Sequence, residues 1–516
     1  MPVPISDLCP PSAGASRALT DAVVARAARR LDRVRNGSRG PGRAARLPAA
    51  GELLRDLRLS LVQAGPAIRR RFLHSPGLRG FLAEAELWLQ VIGLARAARG
   101  RRATRAIDRL FDRVCGTDQM IVLLPRGRID AGFPGRARRL AGQRLRRAVA
   151  DLAAALLGLR LALPGRHRAL SALHLEFHPD PEQGRPFDRI DLGTIPAAAG
   201  LLTIAAAPSR RSKGHAVAVG RLQARLAART LFLRAGDGRR SIVPVPGTRL
   251  GHPARERERA RAAIGPRLLR RPVIPGTTIA LTPQLHSTAR RLRIGRPVRG
   301  LGMRLARALR LVQLAWPEAH AEILRRTRLL VPVRETGLVS YSLASRPGVS
   351  FINVTGKATL DLADDLLHET AHHLLHDLQE VRQLLRRGPA TAEVQAFDSP
   401  WRGNRRPLHG LLHGAYTFLF RADLFDRVLR VRRRHPRLLA PLLGRRTPAW
   451  IASACRRELR QVATALADLD AAARDGLIRP AGRSLLRGLH AWHRRLSGRA
   501  PSYSRMVCRR LGARPP

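Results

Sequence analysis

Lysine is almost missing from this chain of 516 residues, since only Lys213 and Lys357 interrupt an otherwise all-arginine set of 95 basic side chains. Acidic residues number 37, which leaves a formal net charge of +58. Such a field attracts polyanions, so nucleic acid, anionic lipid and acidic peptide are all admitted as partners. The arginines are spread along the chain instead of being gathered in one arm. Together with abundant leucine, alanine, glycine and proline, they read as the composition of a GC-rich genome written onto solvated helix faces. Aromatic residues are also scarce, at 4%. No stretch interleaves them with basic residues, which excludes a stacking platform for single strands. Any nucleic-acid binding would be electrostatic and nonspecific.

Cysteine is sparse too. Cys9, Cys115, Cys455 and Cys508 are scattered over the whole length. Without a CxxC pair they exclude a zinc knuckle and a dithiol redox couple, and they read as free thiols in a reducing compartment. No run approaches 18 uncharged apolar residues, so no transmembrane segment is expected. The opening MPVPISDLCPPSAGAS has neither the basic nor the apolar part of a secretory signal, and a cytoplasmic location is expected. There is no internal repeat of fixed period.

The length suits at least two packed regions. Residues 1–50 hold a short helical pattern, TDAVVARAARRLDRV, and a flexible Arg/Gly/Pro-rich connection. Over 51–165 apolar residues recur at helical spacing, as in GFLAEAELWLQVIGLARAA, and predict a bundle with no evident chemistry. Residues 166–290 change to short runs such as ALHLEFHP, GLLTIAAA, HAVAVG, TLFLRAG and SIVPVPG between turn residues, a mixed strand and loop region. The last region, 291–516, begins with a helix over 301–326 that Pro317 must kink or restart. Three strand-like runs follow, RLLVPVRE, LVSYSLAS and GVSFINVTG. Their turn signals predict an antiparallel meander feeding the next helix, and more helices run to the C-terminus. The fold class expected is α+β, predominantly helical.

That next helix, ATLDLADDLLHETAHHLLHDLQEVRQLLRR, carries the chemistry. Asp361, Asp364 and Asp365 lie near its start and arginines at its end, the order that the helix dipole favours. Residues four apart share a helix face, so His368 and His372 can address one metal ion with Glu369 beside them, the HExxH arrangement. Residues 358–381 contain no lysine or arginine but six carboxylates, a local reversal of charge that suits a cation. His373 is turned about 100° from His372 and is expected to pack. His376 continues the row as a residue standing just outside the ligands.

A catalytic metal commonly takes three protein ligands, and the third must come from elsewhere. Downstream, SPWRGNRRPLHGLLHGAYTFLF offers His409 and His413 on a helix starting near Pro407. His413 is the preferred ligand, with His409 outside the ligand set or facing substrate. The alternative is a carboxylate, Glu380 or Glu393.

Together, LLHETAHHLL and SPWRGNRRPLHGLLHGAYTF resemble the HExxH motif-containing family of peptide-modification proteins, which accompany ribosomally synthesised, modified peptides in bacteria. The likeness covers residues 325–430 and includes the strands before the helix. Members of that family are described as 2-oxoglutarate-dependent peptide β-hydroxylases. The resemblance therefore implies a peptide substrate, Fe(II) in place of zinc, and His368, Glu369, His372 and His413 at the metal centre. It also suggests Arg406, in the RPL element, as the partner of a 2-oxoglutarate carboxylate, since guanidinium offers a bidentate fork. Three histidines depart from the usual two-histidine, one-carboxylate iron triad.

Two enzymatic readings compete. An oxygenase would use the ion for oxidative chemistry at the substrate's β-carbon, with Glu369 shaping the site. A zinc metallopeptidase would use Glu369 as the general base for an attacking water. A third reading, from a different class, is a basic nucleic-acid or partner-binding protein.

Overall fold

The computed structural model describes residues 3–37, 50–97, 131–162, 173–177, 189–194, 201–205, 220–227, 230–235, 240–244, 267–271, 273–281, 300–334, 339–344, 347–386, 397–401, 403–443 and 446–499. Within them the chain is mainly helical with a few small sheets.

The first helix corrects the expectation of a short helix in a flexible segment. Helix α1 spans Ala13–Gly37. Its Ala15, Leu19, Val23 and Ala27 recur every four residues and are fully or almost fully buried. That stripe docks the helix into the main core, with Leu19 and Val23 in the same apolar cluster as the HExxH helix. Residues 38–49, the rest of the expected connection, lie outside the described residues.

The helical region follows as α2 (Ala50–Gln63), α3 (Pro66–Leu73), α4 (Pro76–Ala97) and α5 (Phe133–Ala162). Seven strands come next: β1 (Leu173–Phe177), β2 (Arg189–Thr194), β3 (Leu201–Ala205), β4 (Gly220–Ala227), β5 (Thr230–Ala235), β6 (Arg240–Pro244) and β7 (Arg267–Arg271). They form two antiparallel sheets, ordered β1-β4-β5-β6 and β2-β3-β7. Of the run HAVAVG only Gly220 is described, as the first residue of β4.

The region bearing the motif starts with β8 (Ala280–Leu281), α6 (Leu301–Ala315) and α7 (Pro317–Arg326). Pro317 restarts the helix at its first position, where its missing N–H costs nothing. Strands β9 (Leu329–Val333), β10 (Tyr341–Ser342) and β11 (Val349–Asn353) then enter a sheet ordered β10-β11-β9-β8. This corrects the antiparallel meander: β9 and β11 pair in parallel, β8 joins β9 in parallel, and only the edge strand β10 runs antiparallel, to β11. The reason is burial. Every residue of β9 and β11 is buried, as in the continuous apolar strands of parallel sheets, whereas Tyr341 and Ser342 are only partly covered. Gly348, at φ +80°, makes the left-handed turn into β11.

β11 leads into α8 (Thr359–Val381), the motif helix, and then the small ribbon β12 (Phe397–Asp398) and β13 (Arg405–Arg406). Four helices complete the chain: α9 (Leu408–Arg434), α10 (Pro436–Leu443), α11 (Pro448–Arg474) and α12 (Pro480–Ser497). α1, α6, α7, α9 and β11 surround α8, which places it at the centre of the core.

Candidate metal centre

A helix in that position is buried nearly all round, and the polar residues that α8 buries must find partners. Between Leu362 and Leu378 only three residues are partly exposed: His368, His372 and His376. They sit four apart on one face. Asp361 opens the helix by accepting the backbone N–H of Ala358 at 3.0 Å. Asp364 and Asp365 are tied to Arg421 and Lys357, at 2.7 and 3.1 Å.

His368, Glu369 and His372 bring their ligand atoms within 4.8 Å of one another, and Glu369 is fully buried. α9 supplies His413, whose Nδ1 lies 2.9 Å from Nδ1 of His372. Its Nε2 lies 3.2 Å from Oε1 of Gln379. The His376 ring is centred 5.0 Å from that of His413, and the His409 ring lies tilted against His413 at 4.3 Å. Five imidazoles from two helices therefore form one cluster around the motif.

Burial and mutual repulsion favour the neutral form of His372, His376, His409 and His413. Burial, then the neighbouring His368 and His376, hold His372 well below the usual histidine range. Burial acts in the same way on His413, helped by His409. His376 falls to about 3, from burial and the neighbouring His373 and His409, and His409 falls to about 4, from burial and the Arg406 charge. Neutral imidazole is the form that binds metal.

The remaining expected residues are distributed as follows. His373 faces inward, with Nε2 3.0 Å from the Ser350 hydroxyl of β11. Arg406 is half-buried in β13, and its side chain runs past Gly410, where an added Cβ would lie 3.6 Å from it. Glu380 is not at the site. It is engaged by Arg30 of α1 at 2.9 Å and Arg79 of α4 at 2.5 Å, which corrects its place among the candidate ligands. Glu393 lies outside the described residues.

Three features went unread in the sequence. Gln379 is one, although its place seven residues after His372 puts it on the same helix face. A second is the aromatic wall. Phe418 meets the His368 ring edge-on at 5.1 Å, and Trp401 stacks on Phe418 at 4.4 Å. Gly414 makes room for it, because a Cβ there would stand 2.5 Å from the Trp401 ring. The third is ionic. Asp377 accepts from Arg79 at 2.6 Å and pairs with Arg326, both buried, so α4 and α7 grip α8 at the residue after His376. Arg79 comes from the helical region whose sequence carried no evident chemistry, and Arg30 from the N-terminal segment read as a short helical pattern with a flexible connection.

The donor set fits a first-row divalent ion. Neutral imidazoles beside one carboxylate suit iron, zinc, copper or nickel, whereas magnesium and calcium require mostly oxygen ligands. The Nδ1 atom of His376 is buried with no hydrogen-bond partner, so further nitrogen donor capacity adjoins the site.

No family model matches the chain, and no curated protein matches its sequence. No helix among the described residues is long and apolar enough to cross a membrane.

Proposed function

We propose that this protein is a metal-dependent peptide-modifying enzyme, and that it hydroxylates a ribosomally made peptide using Fe(II) and 2-oxoglutarate. The observation that carries the metal-dependent part is the cluster of His368, Glu369 and His372, whose ligand atoms lie within 4.8 Å of one another, with His413 of a second helix 2.9 Å from His372. The peptide and the oxidative chemistry rest on the resemblance of the two motifs.

His368, His372 and His413 would hold the ion through neutral nitrogens, leaving its charge to be balanced by Glu369 and an anionic co-substrate. When bound, ferrous ion with 2-oxoglutarate and dioxygen supplies the oxidising power to hydroxylate a C–H bond. Arg406, beside the His409 end of the cluster, offers a guanidinium for the co-substrate's carboxylate. Phe418 and Trp401 close the His368 side with apolar rings that exclude water. Glu369, wholly buried, orients what lies between the histidines.

One observation favours a zinc metallopeptidase as a second reading. The antiparallel edge strand β10 flanks β11, which feeds the HExxH helix, and this order supports a zincin-like local arrangement. In that enzyme Glu369 takes the proton of the attacking water.

Anaerobic purification followed by metal analysis separates the two. The oxygenase reading expects iron binding and conversion of 2-oxoglutarate to succinate, coupled to gain of one oxygen by a peptide substrate. Stoichiometric zinc with peptide cleavage, and no 2-oxoglutarate turnover, would replace it with the peptidase.

A further inference from the structure

His413 can serve a metal only if the nitrogen facing His372 carries a lone pair. A neutral imidazole has one N–H and one lone pair, and the hydrogen bond made by one nitrogen decides which role is left to the other. The Nε2 of His413 faces Oε1 of Gln379 at 3.2 Å, while its Nδ1 faces His372 at 2.9 Å.

We infer that Gln379 is a positioning residue of the metal centre: it accepts the Nε2–H of His413 and so holds the His413 Nδ1 lone pair toward the ion site. This rests on the metal-centre reading above and adds the residue that fixes its third ligand. The opposite arrangement, with the amide turned over and its NH2 donating to Nε2, would place a proton on Nδ1, where the ion must bind. Gln379 is well placed for the task. It belongs to α8, the helix that carries His368 and His372, so it sets His413 of α9 in register with the ligands of its own helix. Partners of this kind orient metal-bound histidines and make them more basic.

The two arrangements predict different responses to substitution. Gln379→Met keeps length and bulk but removes the acceptor. Gln379→Glu keeps an acceptor and removes the possibility of donating. The measurement is affinity of the full chain for Co(II) and Zn(II), by chelator competition at pH 7.5, with the Co(II) visible spectrum as a record of ligand geometry. Gln379→Met should bind about 10- to 100-fold more weakly than wild type with an altered Co(II) spectrum. Gln379→Glu should restore wild-type affinity or exceed it. Equal affinity in wild type and Gln379→Met would overturn the inference while leaving the metal centre standing. Gln379→Glu binding as weakly as Gln379→Met would also overturn it, since the amide would then be acting as a donor. Wild-type protein that binds neither ion would remove the metal centre itself, and the role of Gln379 with it.

Discussion

The Nδ1 atoms of His372 and His413 face each other at 2.9 Å across the contact between α8 and α9. Two neutral imidazoles at that distance share one proton at most, and when neither Nδ1 carries it two lone pairs are directed into the same small volume. A cation satisfies both. Protonating either ring is opposed by burial and by the other histidines of the cluster. The pair thus links the motif, which sequence spacing makes visible, to a residue on another helix that only the fold brings near.

Asp377 ties the N-terminal helices to that motif. Its carboxylate neutralises Arg79 and Arg326, both almost fully buried, and lies 3.9 Å from Nε2 of His74. Removing one partner of a buried ion pair leaves a charge with no compensation, at a cost of about 3–5 kcal/mol. Asp377→Ala should therefore lower the urea midpoint strongly or prevent folding, although Asp377 touches none of the metal-binding histidines. A shift of under about 1 kcal/mol, the range of exposed pairs, would show that the grip is not structural.

Gly414→Ala tests the aromatic wall. The new methyl would stand 2.5 Å from the Trp401 ring, which must move off its stack with Phe418. Overpacking of this kind costs about 1–3 kcal/mol. Trp401 fluorescence should change alongside stability. Unchanged stability would mean that the ring is not held there.

Two buried histidines outside the metal-binding cluster, His373 of α8 and His74 between α3 and α4, add to the pH dependence that the buried cluster gives metal-free protein. Burial lowers both His74 and His373 to about 4, from an ordinary value of 6.5. Above pH 6.5 they are neutral whether folded or unfolded and contribute no pH dependence. As the pH falls from 6.5 towards 4 the unfolded chain takes up protons that the folded one refuses, so stability falls. Each unit of that shift is worth about 1.4 kcal/mol. His74→Asn should flatten the decline of urea midpoint between pH 6.5 and 4.5. An equal slope in both proteins would contradict the assignment.

Much of this site was legible because it obeys helical spacing. His368, His372 and His376 follow the four-residue period, and Asp361 lies in the first turn as expected, whereas the arginines expected at the helix's end lie beyond its last residue, Val381. His413 was legible as one turn beyond His409 on a helix that begins after Pro407. The parallel pairing of β9 with β11 was not, because turn residues between strands suggest hairpins while burial on both faces depends on what covers the sheet. Nor was the role of Arg30 and Arg79. In a chain with so many arginines nothing local separates a solvated side chain from one that is buried against Asp377 or Glu380. Glu380 illustrates the converse: its place on the motif helix made it a candidate ligand, and arginines from distant segments claim it.

The most direct test of the metal centre is metal content after reconstitution, measured on wild type and on the His368→Ala, His372→Ala and His413→Ala variants, with circular dichroism to confirm folding. About one divalent ion per chain is expected for wild type. Folded His368→Ala and His372→Ala should retain essentially none, and His413→Ala should bind at least 10-fold more weakly. Full occupancy in both folded HExxH-histidine variants would contradict the account.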